Sequence, residues 1–157
     1  EYVIALGDLY AVAGRSDQAE LQYSLVRAEE ELFRSNGVNI DLELALFDAA
    51  HGDPAGALVA AGDEWAKRHS VHVADAYAWA LYADGRYVEA SVYAGKAMTL
   101  GYRNAQFAFH AGMIQLKLGN DAEARRLLTE AVDINPHFSI QYAPMAQEVL
   151  ADLGGAA

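Results

Sequence analysis

Val3, Leu6, Leu9 and Tyr10 recur at helical spacing in the first thirteen residues, an arrangement that lays apolar side chains along one stripe of an α-helix. The pattern predicts a first helix over Glu1 to Ala13, ended by Gly14. Its partner is expected over Asp17 to Ser35, with Leu21, Leu25, Ala28 and Leu32 on one face and Asn36-Gly37 as a left-handed terminus. The run Glu29-Glu30-Glu31 in that helix reads as a solvated face. Further helices are expected over Asp41 to His51, Pro54 to His69, His72 to Ala83, Tyr87 to Leu100, Asn104 to Leu118 and Asp121 to Ile134, joined by short glycine-containing turns. Asp53-Pro54 is a start signal, because aspartate accepts bonds from the free N–H groups of a first turn and proline there loses no needed donor. A last helix lies within Ser139 to Leu153; Pro144 is tolerated only in a first turn, which puts the helix start at or near Ala143-Pro144. Gly154 to Ala157 read as a flexible tail.

The pattern also repeats. Gly85, Ala90 and Ala97 recur as Gly119, Ala124 and Ala131, each 34 positions on, and the second copy closes on Asn135-Pro136. Such a fixed period marks stacked helical units. Leu6-Gly7-Asp8-Leu9-Tyr10, then Gly14, Ala19 and Tyr23, form an earlier copy, and Ala45, Gly52, Ala57 and Ala61 a more degenerate one. In that copy Glu64 stands where the others carry Val26, Ala97 and Ala131. The central glycines are spaced by 38, 33 and 34 residues, so the first interval holds about one extra helical turn, placed in Arg27 to Gly37.

With its L-G-x-x-Y run, central Gly, Ala and late Pro, the chain resembles the tetratricopeptide repeat (TPR) family. The resemblance implies an all-α, right-handed superhelical solenoid of antiparallel helix pairs with a C-terminal capping helix. It divides a single domain, 1–153, into repeats of approximately 1–37, 38–70, 71–104 and 105–138, with the cap over 139–153. Gly7, Ala19, Ala45, Ala57, Ala78, Ala90, Ala97, Gly112, Ala124, Ala131 and Pro136 are then the repeat-packing positions.

Composition narrows the function classes. A net charge of −11 argues against nucleic acid, which demands clustered Lys and Arg. The pairs Lys67-Arg68 and Arg125-Arg126 are isolated and read as solvated faces or helix C-termini. No stretch approaches the roughly 20 apolar residues that cross a bilayer, so no membrane insertion is expected. The chain starts within a repeat, without an initiator Met or a leader, and reads as cut from a longer protein. Zero Cys fits either redox compartment, and localisation stays open.

In the TPR family the first helix of each repeat lines a concave groove that holds partner segments. Carried over, the resemblance directs Ile4, Asp8, Ala11 and Val12 inward from the first repeat, and Asn39, Leu42, Leu46, Ala49 and Ala50 from the second. The third supplies His72, Asp75, Trp79, Tyr82 and Ala83, and the fourth Gln106, Phe109, Met113, Leu116 and Lys117. The last two repeats thus form an apolar wall, with Trp79, Tyr82, Phe109 and Met113 as the expected contact residues. The expected activity is non-catalytic capture of a peptide or protein segment, without cofactor, with self-association or docking within a larger protein as the alternative.

Chaperone C-terminal tails are not expected partners. The positions matching that clamp carry Ile4, Asp8, Glu43, His72, Ala76, Gln106 and His110, with no Lys or Arg to meet a carboxylate. His72, Asp75 and His110 form a lower-ranked metal alternative: His and carboxylate oxygen bind zinc, but no HExxH or Cys accompanies them, and no metal is assigned. His51, His69 and His137 fall in inter-helix segments and read as solvated. No phosphate loop or nucleophile elbow marks an enzyme, and Ser24, Ser91 and Ser139 lack triad context.

Overall fold

The structure is a computed structural model and describes residues 2–36 and 42–155. Asn39 and Gly37 lie outside them, and the Glu43 side chain is likewise not described. Among the described residues the chain is all-α, with nine helices and no strand: α1 (Tyr2–Val12), α2 (Ser16–Ser35), α3 (Leu42–His51), α4 (Pro54–Lys67), α5 (Val71–Ala83), α6 (Tyr87–Ala97), α7 (Ala105–Lys117), α8 (Asp121–Ile134) and α9 (Tyr142–Gly155). Successive helices pack as pairs, α1 on α2, α3 on α4, α5 on α6 and α7 on α8. The pairs join through α4 against α5 and α6 against α7, and α9 lies on α8. At 20 residues α2 exceeds α4, α6 and α8, which run 11 to 14, so the long first interval is housed there.

Local chemistry explains the helix ends. Gly14, Gly52, Gly85 and Gly119 follow the first helix of each pair with positive φ, a conformation that costs a Cβ-bearing residue 1–2 kcal/mol as an order of magnitude. Asp53 accepts from the Gly56 N–H at 2.9 Å with Pro54 in the first turn. Ser70 caps α5 through the Val73 N–H, and Asn104 caps α7 through the Gln106 and Phe107 N–H groups. Ser139 likewise accepts from the Tyr142 N–H, so α9 begins at Tyr142 and Pro144 falls in its first turn. The helix continues through Gly154, which the sequence pattern assigns to a tail.

Helices within a pair meet through complementary volumes. Seven residues before each central glycine stand Gly7, Ala45, Ala78 and Gly112; nine residues after it stand Tyr23, Ala61, Ala94 and Leu128. Where the first position is glycine, a large side chain fills the space: a Cβ on Gly7 would meet the Tyr23 ring at 2.5 Å, and one on Gly112 would meet Leu128 at 2.8 Å. Where it is alanine, its counterpart is alanine, with Ala45 and Ala61 in one cluster and Ala78 and Ala94 in another. Ala19, Ala57, Ala90, Ala97, Ala124 and Ala131 are buried as the repeat pattern requires, whereas Pro136 is exposed.

Two expectations about facing are corrected. The stripe Leu21, Leu25, Ala28 and Leu32 points outward, and α2 buries Ala19, Tyr23, Val26 and Glu30 instead. Glu30 therefore belongs to the inner stripe and not to a solvated face. Glu64, the departure from the repeat pattern, stays mostly buried and pairs with Arg68 at 2.7 Å.

Candidate functional site

The inner surface is built by the first helix of each pair. Ile4 and Asp8 of α1, Leu46 and Ala50 of α3, Trp79 of α5 and Gln106 of α7 surround one cavity of about 410 Å³. Its opposite wall is the segment His137 to Tyr142 that leads into α9. Four helix pairs and the crossing segment therefore share one concavity.

A polar cluster closes the α1 side of this cavity. Asp8 Oδ1 accepts from the Tyr23 hydroxyl at 3.0 Å and from Gln141 Nε2 at 2.9 Å, and His51 Nε2 lies 3.3 Å from the same oxygen. Tyr23 stacks on His51 with centroids 4.2 Å apart, and Phe47 packs on both rings. Burial pushes the Tyr23 phenol above its ordinary value, and the adjacent Asp8 carboxylate adds to the rise. His51 is thus the last residue of α3 with a nearly buried ring, not a solvated linker histidine. His69 and His137 are exposed, His69 lying against Trp65.

The apolar wall expected of the last two pairs exists but is covered. Trp79, Phe109 and Met113 are buried, with Tyr82 half-buried beside them. Tyr142 stacks on Phe109 at 4.8 Å and meets Trp79 edge-on at 5.5 Å, Phe138 adds a further ring on Phe109, and Ala146 completes the cluster. Leu46 and Leu116 border the same cluster. These residues give a partner little area because the chain's own C-terminal segment already occupies them. Burial carries the Tyr142 phenol up to about 12, and the Asp8 charge adds to the rise.

The three proposed metal ligands do not converge. Asp75 and His110 form a buried pair, His110 Nδ1 lying 3.0 and 2.9 Å from the two carboxyl oxygens. His72 is exposed and turns its ring to Tyr102 and Phe107. Among the described residues no group of three His, Cys, Asp or Glu side chains could hold a metal ion. His110 Nε2 and Trp79 Nε1 are buried without a hydrogen-bond partner, and Trp79 stacks on the imidazole at 4.1 Å. An Asp-oriented imidazole with a free Nε2 has the form of a general base, but here the side chain is fully buried among the rings of Trp79, Phe109 and Tyr142.

Of the remaining inward positions, Ala11 and Val12 are exposed, Leu42 is half-buried, and Ala76 is buried. The sequence reading missed Phe47, His51 and Gln141 as cavity residues, and Tyr23 as the ring that holds Asp8 and His51 behind them. Only the aromatic landmark at Tyr23 carried a signal for any of them. Comparison with models of known protein families and with curated proteins gives no match to this chain.

Proposed function

We propose that the chain is a TPR-type helical-repeat module whose function is to bind a short peptide or protein segment, and that the anchoring site is the cavity between the first helices and the crossing segment. The observation that carries this reading is the cavity's lining: apolar walls from Ile4, Leu46, Phe47 and Trp79 around the single carboxylate of Asp8. A volume of about 410 Å³ suits a side chain or two, within the usual range of binding pockets. Asp8 and the net charge of −11 favour a segment that offers a Lys or Arg beside an apolar residue.

Calorimetry with a panel of short peptides tests the reading. Basic-apolar peptides are expected to bind, and Asp8→Asn to weaken them by about ten- to a hundredfold, the magnitude of one hydrogen bond to a charged group. Leu46→Trp, which fills the cavity, is expected to abolish binding. Peptides that bind both variants as they bind the parent would place recognition elsewhere.

The alternative of docking within a chain has its own support. Phe138, Tyr142 and Ala146 occupy the wall of Trp79 and Phe109 as a partner segment would. In this second reading the distal half of the groove serves its own C-terminal segment, and only the half near Asp8 is left for a ligand.

A further inference from the structure

The two oxygens of Asp8 stand in unlike states. The Tyr23 hydroxyl donates to Oδ1 at 3.0 Å, Gln141 Nε2 donates to it at 2.9 Å, and His51 Nε2 stands 3.3 Å from it. Two donors match the two lone pairs of such an oxygen, so Oδ1 is full. Oδ2 accepts no hydrogen bond among the described residues, and the Asp8 side chain keeps 18% of its surface open. Among the described residues Asp8 is also the only carboxylate that lines the cavity.

The donors that hold Oδ1 are themselves held. Gln141 Nε2 also donates to the Tyr23 hydroxyl oxygen at 3.2 Å, so Asp8, Tyr23 and Gln141 close a ring of three hydrogen bonds. The Tyr23 ring fills the space left by Gly7 and stacks on His51 at 4.2 Å, which fixes where its hydroxyl points. Burial, and after it the bond to Asp8, keeps the phenol above its ordinary value, so near neutral pH it retains its proton and remains a donor. Turning the carboxylate to present both oxygens to a ligand would break this ring.

We infer that the cavity selects a lysine over an arginine in its ligand, and that Tyr23 and Gln141 set this choice by occupying Oδ1. The inference rests on the reading of the cavity as a peptide site and narrows what that site takes. An ammonium is a compact charge that one oxygen can hold, and its four-carbon stem suits the walls of Ile4, Leu46, Phe47 and Trp79. A guanidinium carries its donors in a planar fork that matches both oxygens of a carboxylate at once. Here it meets one oxygen and its second arm finds no other carboxylate, or it takes Oδ1 and leaves the Tyr23 and Gln141 donors unpaired. Both arrangements forfeit the bond that makes arginine the stronger partner elsewhere.

The test is calorimetry with three capped peptides that differ at one position flanked by leucines, carrying there lysine, arginine or norleucine. The lysine peptide is expected to bind about fivefold or more tighter than the arginine peptide, and about tenfold or more tighter than the norleucine peptide, the scale of one hydrogen bond lost without and with a charge. Tyr23→Phe combined with Gln141→Leu keeps the ring against Gly7 and frees Oδ1, and is expected to bring arginine level with lysine or ahead of it. Gln141→Leu alone, at a half-buried position, is measured beside it and is expected to narrow the gap. Arginine binding the parent chain as tightly as lysine would overturn the inference and leave the peptide site standing, as would a norleucine peptide that matches lysine. A lysine preference undiminished in the folded variants would overturn the role given to Tyr23 and Gln141. Failure of all three peptides to bind would overturn the reading of the cavity and the inference with it.

Discussion

Gly112 and Leu128 show how one residue sets the size of another across a helix pair. With 2.8 Å between a would-be Cβ and Leu128, Gly112→Ala is expected to destabilise by about 1–3 kcal/mol through overpacking. Leu128→Ala in the same chain should recover part of that loss, since Ala78 with Ala94 is the same contact built from two alanines; chemical denaturation of the double-mutant cycle measures the coupling. Ala90→Leu and Ala124→Leu, at fully buried positions, carry the same expected cost. Asp75→Ala leaves His110 buried with neither ring nitrogen bonded, and is expected to cost about 1–3 kcal/mol. Tyr142 supplies the pH dependence. The unfolded phenol ionises near 10 and the folded one near 12, so the folded state holds the extra proton between them. Stability is complete below about pH 10 and falls as pH rises to about 12, by on the order of 3 kcal/mol. Tyr142→Phe should make that part of the stability profile shallower, the remainder coming from Tyr23 and Tyr82, whose phenols burial also raises.

At the scale of elements, periodicity and punctuation located the helices because glycine, proline and capping side chains act locally. The side of a helix that faces the core was less legible. Leu21, Leu25, Ala28 and Leu32 form a stripe as regular as the buried one in α2, and hydrophobic spacing alone does not say which stripe has a neighbour. Aligning the pairs on their glycines resolves it: the residues matching Leu21 and Leu25 in α8 are Arg126 and Glu130, which pair with each other at 3.1 Å on the outer side. The same limit applies to the site. Ile4, Asp8, Leu46, Trp79 and Gln106 were readable as an inward set because the family resemblance assigns their repeat positions to the groove, whereas Gln141 comes from a non-repeating segment 133 residues from its partner Asp8. Nothing periodic announces such a contact.

For the molecule as a whole, the C-terminal segment decides what the groove presents. Arg125 of α8 donates to the Leu153 carbonyl at the far end of α9, while Tyr142 at its start covers Trp79 and Phe109. Ending the chain after Pro136 is therefore expected to uncover the aromatic wall. In a Trp65→Phe background the emission of Trp79 should shift to the red and a hydrophobic dye should bind; an unshifted spectrum would mean that other residues bury the indole.

The bond between Asp8 and Gln141 links the first helix to the segment before the last. A row of helix pairs joined only neighbour to neighbour stretches like a spring, each joint yielding a little. Here the Gln141 amide donates to both Asp8 and Tyr23 and so spans the row, and tension on the ends is expected to load that clasp before it loads the joints. On the proposed reading, a cationic ligand that draws Asp8 away from Gln141 would unfasten it, and occupancy of the cavity and elasticity of the row would then be two readings of one equilibrium.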